Sequence, residues 1–316
     1  MTKKSISNLL ALTAALAVLQ GCGGGGGGGG YAGPLPPTTS NISPTPTTPT
    51  TPTPSPEDLA QLPGTELLPS LSSPQSGSIA DAGSGSNKWE GIYEDAYGVT
   101  FITAGGGLMR RAQHGWSVGT ITVDDTTTPL SPKWTFNHDL SVYVPDGTEP
   151  EGFMNGSGNF LGKTMVGTYQ KDGDLAPSVW GPLDYSVSNA LAITSESLLG
   201  TVWTYKDGGM SITFGANGDF TGTTSGADGV CSLSGTATQL DPSSKKNMFA
   251  LNMTAQDAAG AGETPCNLDT QSSYIGLSGF VLLPAGKYPQ NGYFRTFTIN
   301  MVSDSHIITT YLRKAS

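Results

Sequence analysis

From Asn87 to the end of the chain, short runs of residues alternate between apolar and polar with a period of two. That period belongs to strands, whose successive side chains point to opposite faces, and not to helices. Phe297, Ile299 and Met301 alternate with Thr298 and Asn300, and Met210, Ile212 and Phe214 with Ser211 and Thr213. Phe249, Leu251 and Met253 repeat the pattern, as do Trp134 with Phe136 and Val142 with Val144. Asn217-Gly218, just before Phe220, is the residue pair a tight hairpin turn prefers. A sheet with one apolar face has to close on itself or pack on another sheet. The expectation is an all-β body of antiparallel barrel or sandwich units.

Two halves of this body overlay in order. Gly91 to Phe101 and Gly200 to Met210 each read as an aromatic strand, a polar turn and an alternating strand. Gly119-Thr120-Ile121-Thr122 followed by Lys133-Trp134-Thr135-Phe136 then matches Gly235-Thr236-Ala237-Thr238 followed by Lys246-Asn247-Met248-Phe249. The shared order reads as a duplicated unit, with general Gly/Thr richness as the alternative. The units are placed at 87–196 and 197–316. Within the first, Leu108 to His114 carries Arg110 and Arg111 and does not read as a buried strand.

Residues 22–86 have little means of building a core. A glycine run from Gly23 to Gly30 leaves the backbone free, and alternating Pro and Thr from Pro44 to Pro54 hold it extended. In the polyproline conformation, at roughly 3.1 Å per residue, Pro34 to Pro56 spans about 70 Å. A disordered tether is expected over these residues.

The first 21 residues read as an export signal: Lys3 and Lys4, then an apolar stretch from Leu9 to Leu19 too short for a membrane span. Leu19-Gln20-Gly21-Cys22 resembles the lipobox of bacterial lipoproteins, with Gln20 where the family usually has a smaller residue. The resemblance implies cleavage before Cys22 and a diacylglycerol and acyl anchor on that cysteine. Gly23 stands where an aspartate commonly retains lipoproteins at the inner membrane, so the expected location is the outer membrane, with the body's face left open. The formal charge of −10 becomes more negative once Lys3 and Lys4 leave. Such a surface repels nucleic acid, which is not expected as a partner. With Cys22 assigned to lipid, Cys231 and Cys266 remain as a pair in an oxidising compartment, and a disulfide between them is expected. The second half opens on Gly200-Thr201-Val202-Trp203 and resembles small lipocalin-like or META-like β-barrel domains. In architecture alone the chain is similar to transferrin-binding and factor H-binding surface lipoproteins.

The remaining candidates are weighed against plain structure. Gly115-Trp116-Ser117-Val118-Gly119 spells a nucleophile elbow, but the flanking sequence does not supply a strand before it and a helix after it. Gly158 to Thr164 falls one residue short of a phosphate loop and reads as a hairpin. Asp172-Gly173-Asp174 reads as a solvated turn rather than a calcium loop. His114, His138 and His306 lack metal-ligand spacing, and Trp89, Tyr93, Trp203 and Tyr205 read as core. No cofactor, no metal and no catalytic residue is expected. The function expected is that of a membrane-anchored binding or structural module for an unknown protein or small molecule. An enzyme inhibitor or a carrier of a small apolar ligand is the alternative, and a hydrolase using Ser117 is a further one.

Overall fold

The computed structural model describes residues 65–82, 89–112, 115–126, 130–143, 150–199, 202–204, 209–241, 245–285 and 292–314. The expected signal, Cys22 and residues 23–64 and 83–86 of the tether lie outside these residues. The body is all-β, in two antiparallel barrels. The first contains β1 (Gly91–Asp95), β2 (Gly98–Ile102), β3 (Gly107–Ala112), β4 (Gly115–Thr120), β5 (Thr122–Asp124), β6 (Lys133–Tyr143), β7 (Pro150–Leu161), β8 (Thr164–Lys171) and β9 (Ser178–Tyr185). The second contains β10 (Val202–Thr204), β11 (Met210–Phe214), β12 (Asp219–Thr224), β13 (Cys231–Gln239), β14 (Phe249–Asp257), β15 (Tyr274–Ser278), β16 (Phe280–Pro284), β17 (Tyr293–Val302) and β18 (Ile307–Lys314).

Each barrel is a meander closed by pairing of its last strand with its first, β9 on β1 and β18 on β10. One ring strand in each is broken by a single residue. Ile121 separates β4 from β5, which both pair with β6; Gly279 separates β15 from β16, which both pair with β17. Nine strands therefore form eight ring positions in each barrel. The overlay of the two halves falls on the same positions, the first, second, fourth and fifth. Closure removes the free edges that an open sheet exposes to other chains.

The alternating residues point inward as their period dictates. In the second barrel Phe214, Phe249, Leu251, Phe297, Ile299 and Met301 are buried, and the Phe297 ring lies 5.4 Å from Phe214, 5.7 Å from Phe249 and 5.4 Å from Phe280. In the first, Trp134 is fully buried and its Nε1 donates to the Val166 carbonyl at 3.1 Å. Gly158 and Gly167 are paired across β7 and β8, and a Cβ on either would stand 2.6 or 2.4 Å from the Trp134 ring. These glycines open the slot that the indole fills.

The outer face of β1 to β4 packs on the second barrel. Met109, Trp116 and Val118 form one cluster with Val302, flanked by Ile275, Leu277 and Ile307. Ile92 Cδ1 and Phe101 Cε1 crowd the break at Gly279, 3.1 and 3.2 Å from where its Cβ would stand. Buried polar groups bridge the seam: Asn247 Nδ2 donates to Ser188 and Phe280 carbonyls at 2.9 and 2.8 Å, and Lys246 pairs with Glu90 at 2.9 Å. Arg111 lies over the Tyr311 ring at 4.6 Å. The seam also corrects the reading of Leu108 to His114: its described part is β3, with Leu108 buried inward and Met109 buried outward. A strand covered on both faces loses the alternation that would mark it.

Structure begins earlier than composition implies. Residues 65–82, placed above in the tether, run along both barrels as a strap. Glu66 exchanges two backbone hydrogen bonds with Tyr293, each 2.8 Å, and its carboxylate takes the Arg295 guanidinium in a two-point pair at 2.8 and 2.8 Å. Gln75 bonds to Ala190 and Ala192 between the barrels, and Ile79 is buried in the first barrel's cluster.

Candidate functional site

Antiparallel order places the β1–β2, β3–β4, β6–β7 and β8–β9 connections at one end of the first barrel. At the β1–β2 turn Asp95 Oδ1 accepts from the backbone N–H of Tyr97 and Gly98 at 2.9 and 2.7 Å. Gly98 is required there, since a Cβ would stand 1.8 Å from the Arg111 carbonyl oxygen. The turn leaves Asp95 Oδ2 to pair with Arg110 Nη2 at 2.7 Å, while Arg110 Nη1 donates to Thr100 Oγ1 at 3.0 Å. Both charged side chains are nearly buried, 11% and 13% exposed. An ion pair removed from water is held only if its geometry and hydrogen bonds repay desolvation, and this one has both.

Arg110 also stacks over the Trp180 ring, 5.3 Å from its centroid. Phe136, Tyr169 and Trp134 surround that indole at 4.9, 5.9 and 6.2 Å. Trp180 is buried, and its Nε1 has no hydrogen-bond partner among the described residues. The contrast with Trp134, whose Nε1 is satisfied, is chemical as well as positional. Outside, the same end exposes Tyr97 at 64%, Phe153 at 49% and Val179 at 75%, with Leu175 fully exposed in the β8–β9 turn.

Ser117 belongs to this neighbourhood. It is buried in β4, and register places Thr100, Arg110, Ser117 and Val142 side by side across four strands. Its backbone runs in a paired strand on both sides, not in a strand-to-helix turn, so the elbow geometry is not formed there. His306, the late histidine for a triad with it, lies at the β17–β18 turn of the other barrel. His114 lies outside the described residues, as does the His138 side chain. Gly158 to Thr164 forms the β7–β8 hairpin and Asp172-Gly173-Asp174 the β8–β9 turn, with Asp174 Oδ2 accepting from the Lys171 N–H. Among the described residues no group of three His, Cys, Asp or Glu converges as a ligand set. Tyr93 is core as expected and Trp89 packs against it, while the side chains of Trp203 and Tyr205 lie outside the described residues.

A second polar cluster closes one end of the second barrel. The disulfide joins Cys231 to Cys266 across 35 residues, as expected. Nearby, Ser305 Oγ donates to Asp269 Oδ2 at 2.8 Å and lies 2.9 Å from His306 Nδ1. Burial alone would raise the Asp269 pKa; the Gln271 N–H, the Ser305 hydroxyl, the Ser272 N–H and the Ser303 hydroxyl outweigh it and hold it at about 2. A nucleophilic serine gives its proton to histidine. This one gives it to a carboxylate, so the cluster is a loop fastener. Asp228 beside it is raised by burial, with His306 acting in the opposite sense.

Compared with protein-family models, curated proteins and solved structures, the chain finds no match. The functional reading therefore rests on geometry. Asp95, Thr100, Arg110 and Trp180 were not candidates from sequence. The signal that marks them is parity: Arg110 falls on the inward side of β3, where a small barrel normally takes an apolar residue.

Proposed function

We propose that this chain is an exported lipoprotein, held at the outer membrane by lipid on Cys22, whose two-barrel body binds a partner through the hairpin end of its first barrel. The leader, the Pro/Thr spacer and the disulfide-closed body agree with an envelope location. The observation that carries the binding assignment is the crowding of exposed Tyr97, Phe153, Leu175 and Val179 at one end of a barrel whose β1–β4 wall is covered by its neighbour. Exposed large apolar residues gathered at one end of a folded body are candidate contact points. The aromatic filling of the second barrel speaks against a carrier cavity there, since those rings occupy the axis a ligand would use.

Two measurements test the proposal in cells. Cys22→Ser is expected to abolish incorporation of labelled palmitate and to move the body to the soluble fraction; unchanged membrane retention would refute the anchor. A photo-crosslinking residue at Leu175 is expected to give adducts that the same residue at Leu161, exposed at the opposite end, does not. Equal adducts at both positions would refute the assignment of the binding end. A fluorophosphonate probe that labels the protein, and fails to label Ser117→Ala, would move the reading to a hydrolase.

A further inference from the structure

The outer face of the second barrel divides into two parts. Val302, Ile275, Leu277 and Ile307 set β17, β15 and β18 against the first barrel, while β11 to β14 complete the ring away from that seam. Register aligns Thr213, Thr221, Ser234 and Thr254 side by side across these four strands, and all four are exposed. Ser234 Oγ and Thr254 Oγ1 lie 3.1 Å apart, within hydrogen-bond distance. The rows on either side pass through Thr223 with Ser232 and through Thr236 with Asn252. Charge enters only at the rims. Asp219 Oδ1 accepts from the Asn217 N–H at 3.3 Å in the β11–β12 turn, and Asp257 Oδ1 from the Ala259 and Cys266 N–H groups at 3.1 and 3.1 Å. A chain with 15 basic and 25 acidic residues thus places none of them in the middle of this face. The first barrel has a comparable row, Thr122, Thr135, Ser157 and Thr168, but the row beside it carries the facing pair Asp124 and Lys133.

We propose that the outer face of β11 to β14 binds an uncharged polysaccharide, as an extended sugar chain laid across the strands. This surface is separate from the hairpin end of the first barrel. Protein interfaces are centred on aromatic residues, Met and Arg, and Ser and Thr rarely anchor them. The face offers only the second kind. Small molecules are held in concave sites, whereas the outside of a barrel is convex, so a ligand here has to be a polymer that makes many weak contacts at once. A charged polymer would set its ionic groups against a face without counter-charge, and a polyanion would also meet the net charge of −10. Sugar hydroxyls instead exchange water for Thr and Ser hydroxyls, each of which donates and accepts. The face is also pre-ordered, because β-branched Thr has few rotamers to lose and no long Lys or Glu side chain has to be immobilised. Neighbouring strands lie about 4.8 Å apart, close to the length of one sugar in an extended chain. Successive sugars therefore meet successive strands of the row.

Affinity electrophoresis tests this on the full chain carrying Cys22→Ser. Native gels are cast with hydroxyethyl cellulose, an uncharged extended polymer, or with carboxymethyl cellulose, the same backbone bearing carboxylates, and mobility is read against an acidic reference protein. Hydroxyethyl cellulose is expected to retard the chain, and carboxymethyl cellulose is not. The triple change Thr221→Ala, Ser234→Ala and Thr254→Ala should weaken the retardation about 10-fold or more, since each hydrogen bond contributes a factor of about 2 to 10. The matching set in the first barrel, Thr122→Ala, Ser157→Ala and Thr168→Ala, should leave it unchanged. All six positions are exposed, and a thermal melt of each variant checks that it is folded. The single change Ser234→Asp sets a charge in the middle of the row and should also weaken the retardation, whether or not a triple variant folds. No retardation by the uncharged polymer, or equal retardation by both polymers, overturns the proposal. So does an equal loss in the two triple variants, or an undiminished retardation of Ser234→Asp.

Discussion

Removing the Cys231–Cys266 bridge is expected to lower the stability of the body by about 4 kcal/mol, the chain-entropy value for a closed loop of 35 residues. The estimate applies in full only if the native loop keeps its place without sulfur, and the hydrogen bonds indicate that it does. Cys231 N–H bonds to Thr224 Oγ1 at 3.2 Å and Cys266 N–H to Asp257 Oδ1 at 3.1 Å. Val230 and Thr264 bond at 3.0 Å, and Asn267 reaches Asp228 and Ala227 at 2.9 and 3.0 Å. None of these needs the disulfide, so its loss acts on the unfolded chain. Urea unfolding of the oxidised protein, the reduced protein and the Cys231→Ala, Cys266→Ala double variant separates the parts. Reduction should account for most of the loss, and the double variant should add about 1 kcal/mol for sulfur packing at fully buried Cys231. In a body of this size the loss corresponds to about 8–16 °C in Tm. A loss on reduction below about 1 kcal/mol would show that the native loop relaxes when the bridge opens, and would refute the argument.

Gly167→Ala is expected to cost ~2–4 kcal/mol, because its Cβ meets the Trp134 ring and the Ser157 carbonyl; Gly173→Ala, in open space at a positive φ, should cost only about 1 kcal/mol in the same thermal melts. A chain that begins at Asn87 should unfold at lower urea than one that begins at Thr65, by at least the ~1.5–3 kcal/mol of burying Ile79, and a shared midpoint would remove the strap from the fold. Asp269 has a depressed pKa, so its contribution is complete above the ordinary carboxyl value of 3.8 and is lost as pH falls toward about 2. Asp269→Asn should flatten that acid limb of stability. Glu94 has the opposite sign: burial raises its pKa, and the Ser186 hydrogen bond only partly offsets this, so Glu94→Gln should raise stability at neutral pH and change nothing well below pH 4.5.

The parts of the fold that could be read from sequence are those where one face of a strand meets the core and the other meets water. Phe297, Ile299 and Met301 announced β17 in this way, and Asn217-Gly218 announced the turn at positive φ between β11 and β12. Where both faces are covered the signal fades. Leu108 and Met109 point opposite ways in β3 and are both buried, one inside the barrel and one in the seam. The strap was illegible for another reason: its hold on the body comes from backbone hydrogen bonds, the Glu66–Arg295 pair and scattered buried residues such as Ile79, which composition does not register. Trp180 stands in Ser178-Val179-Trp180-Gly181-Pro182, and a proline in the run argues against a ring strand on sequence grounds.

The two barrels share a ring order and differ in what they place on the axis. In the second, the interior rings pack on one another, and the polar groups at its end are spent on fastening: Asp269 holds Ser305 and its own loop, and the disulfide holds the rest. That barrel also takes the strap through Tyr293 and Arg295. In the first, a charged pair and an unsatisfied indole occupy positions where apolar side chains of similar volume would be at least as stable. Stability does not call for Asp95, Arg110 and the Trp180 N–H in that place. Two barrels of one ring order thus divide the work differently: the second gives its interior to packing and its end to fastening, while the first carries an ion pair and an indole N–H at a cost its fold alone does not require.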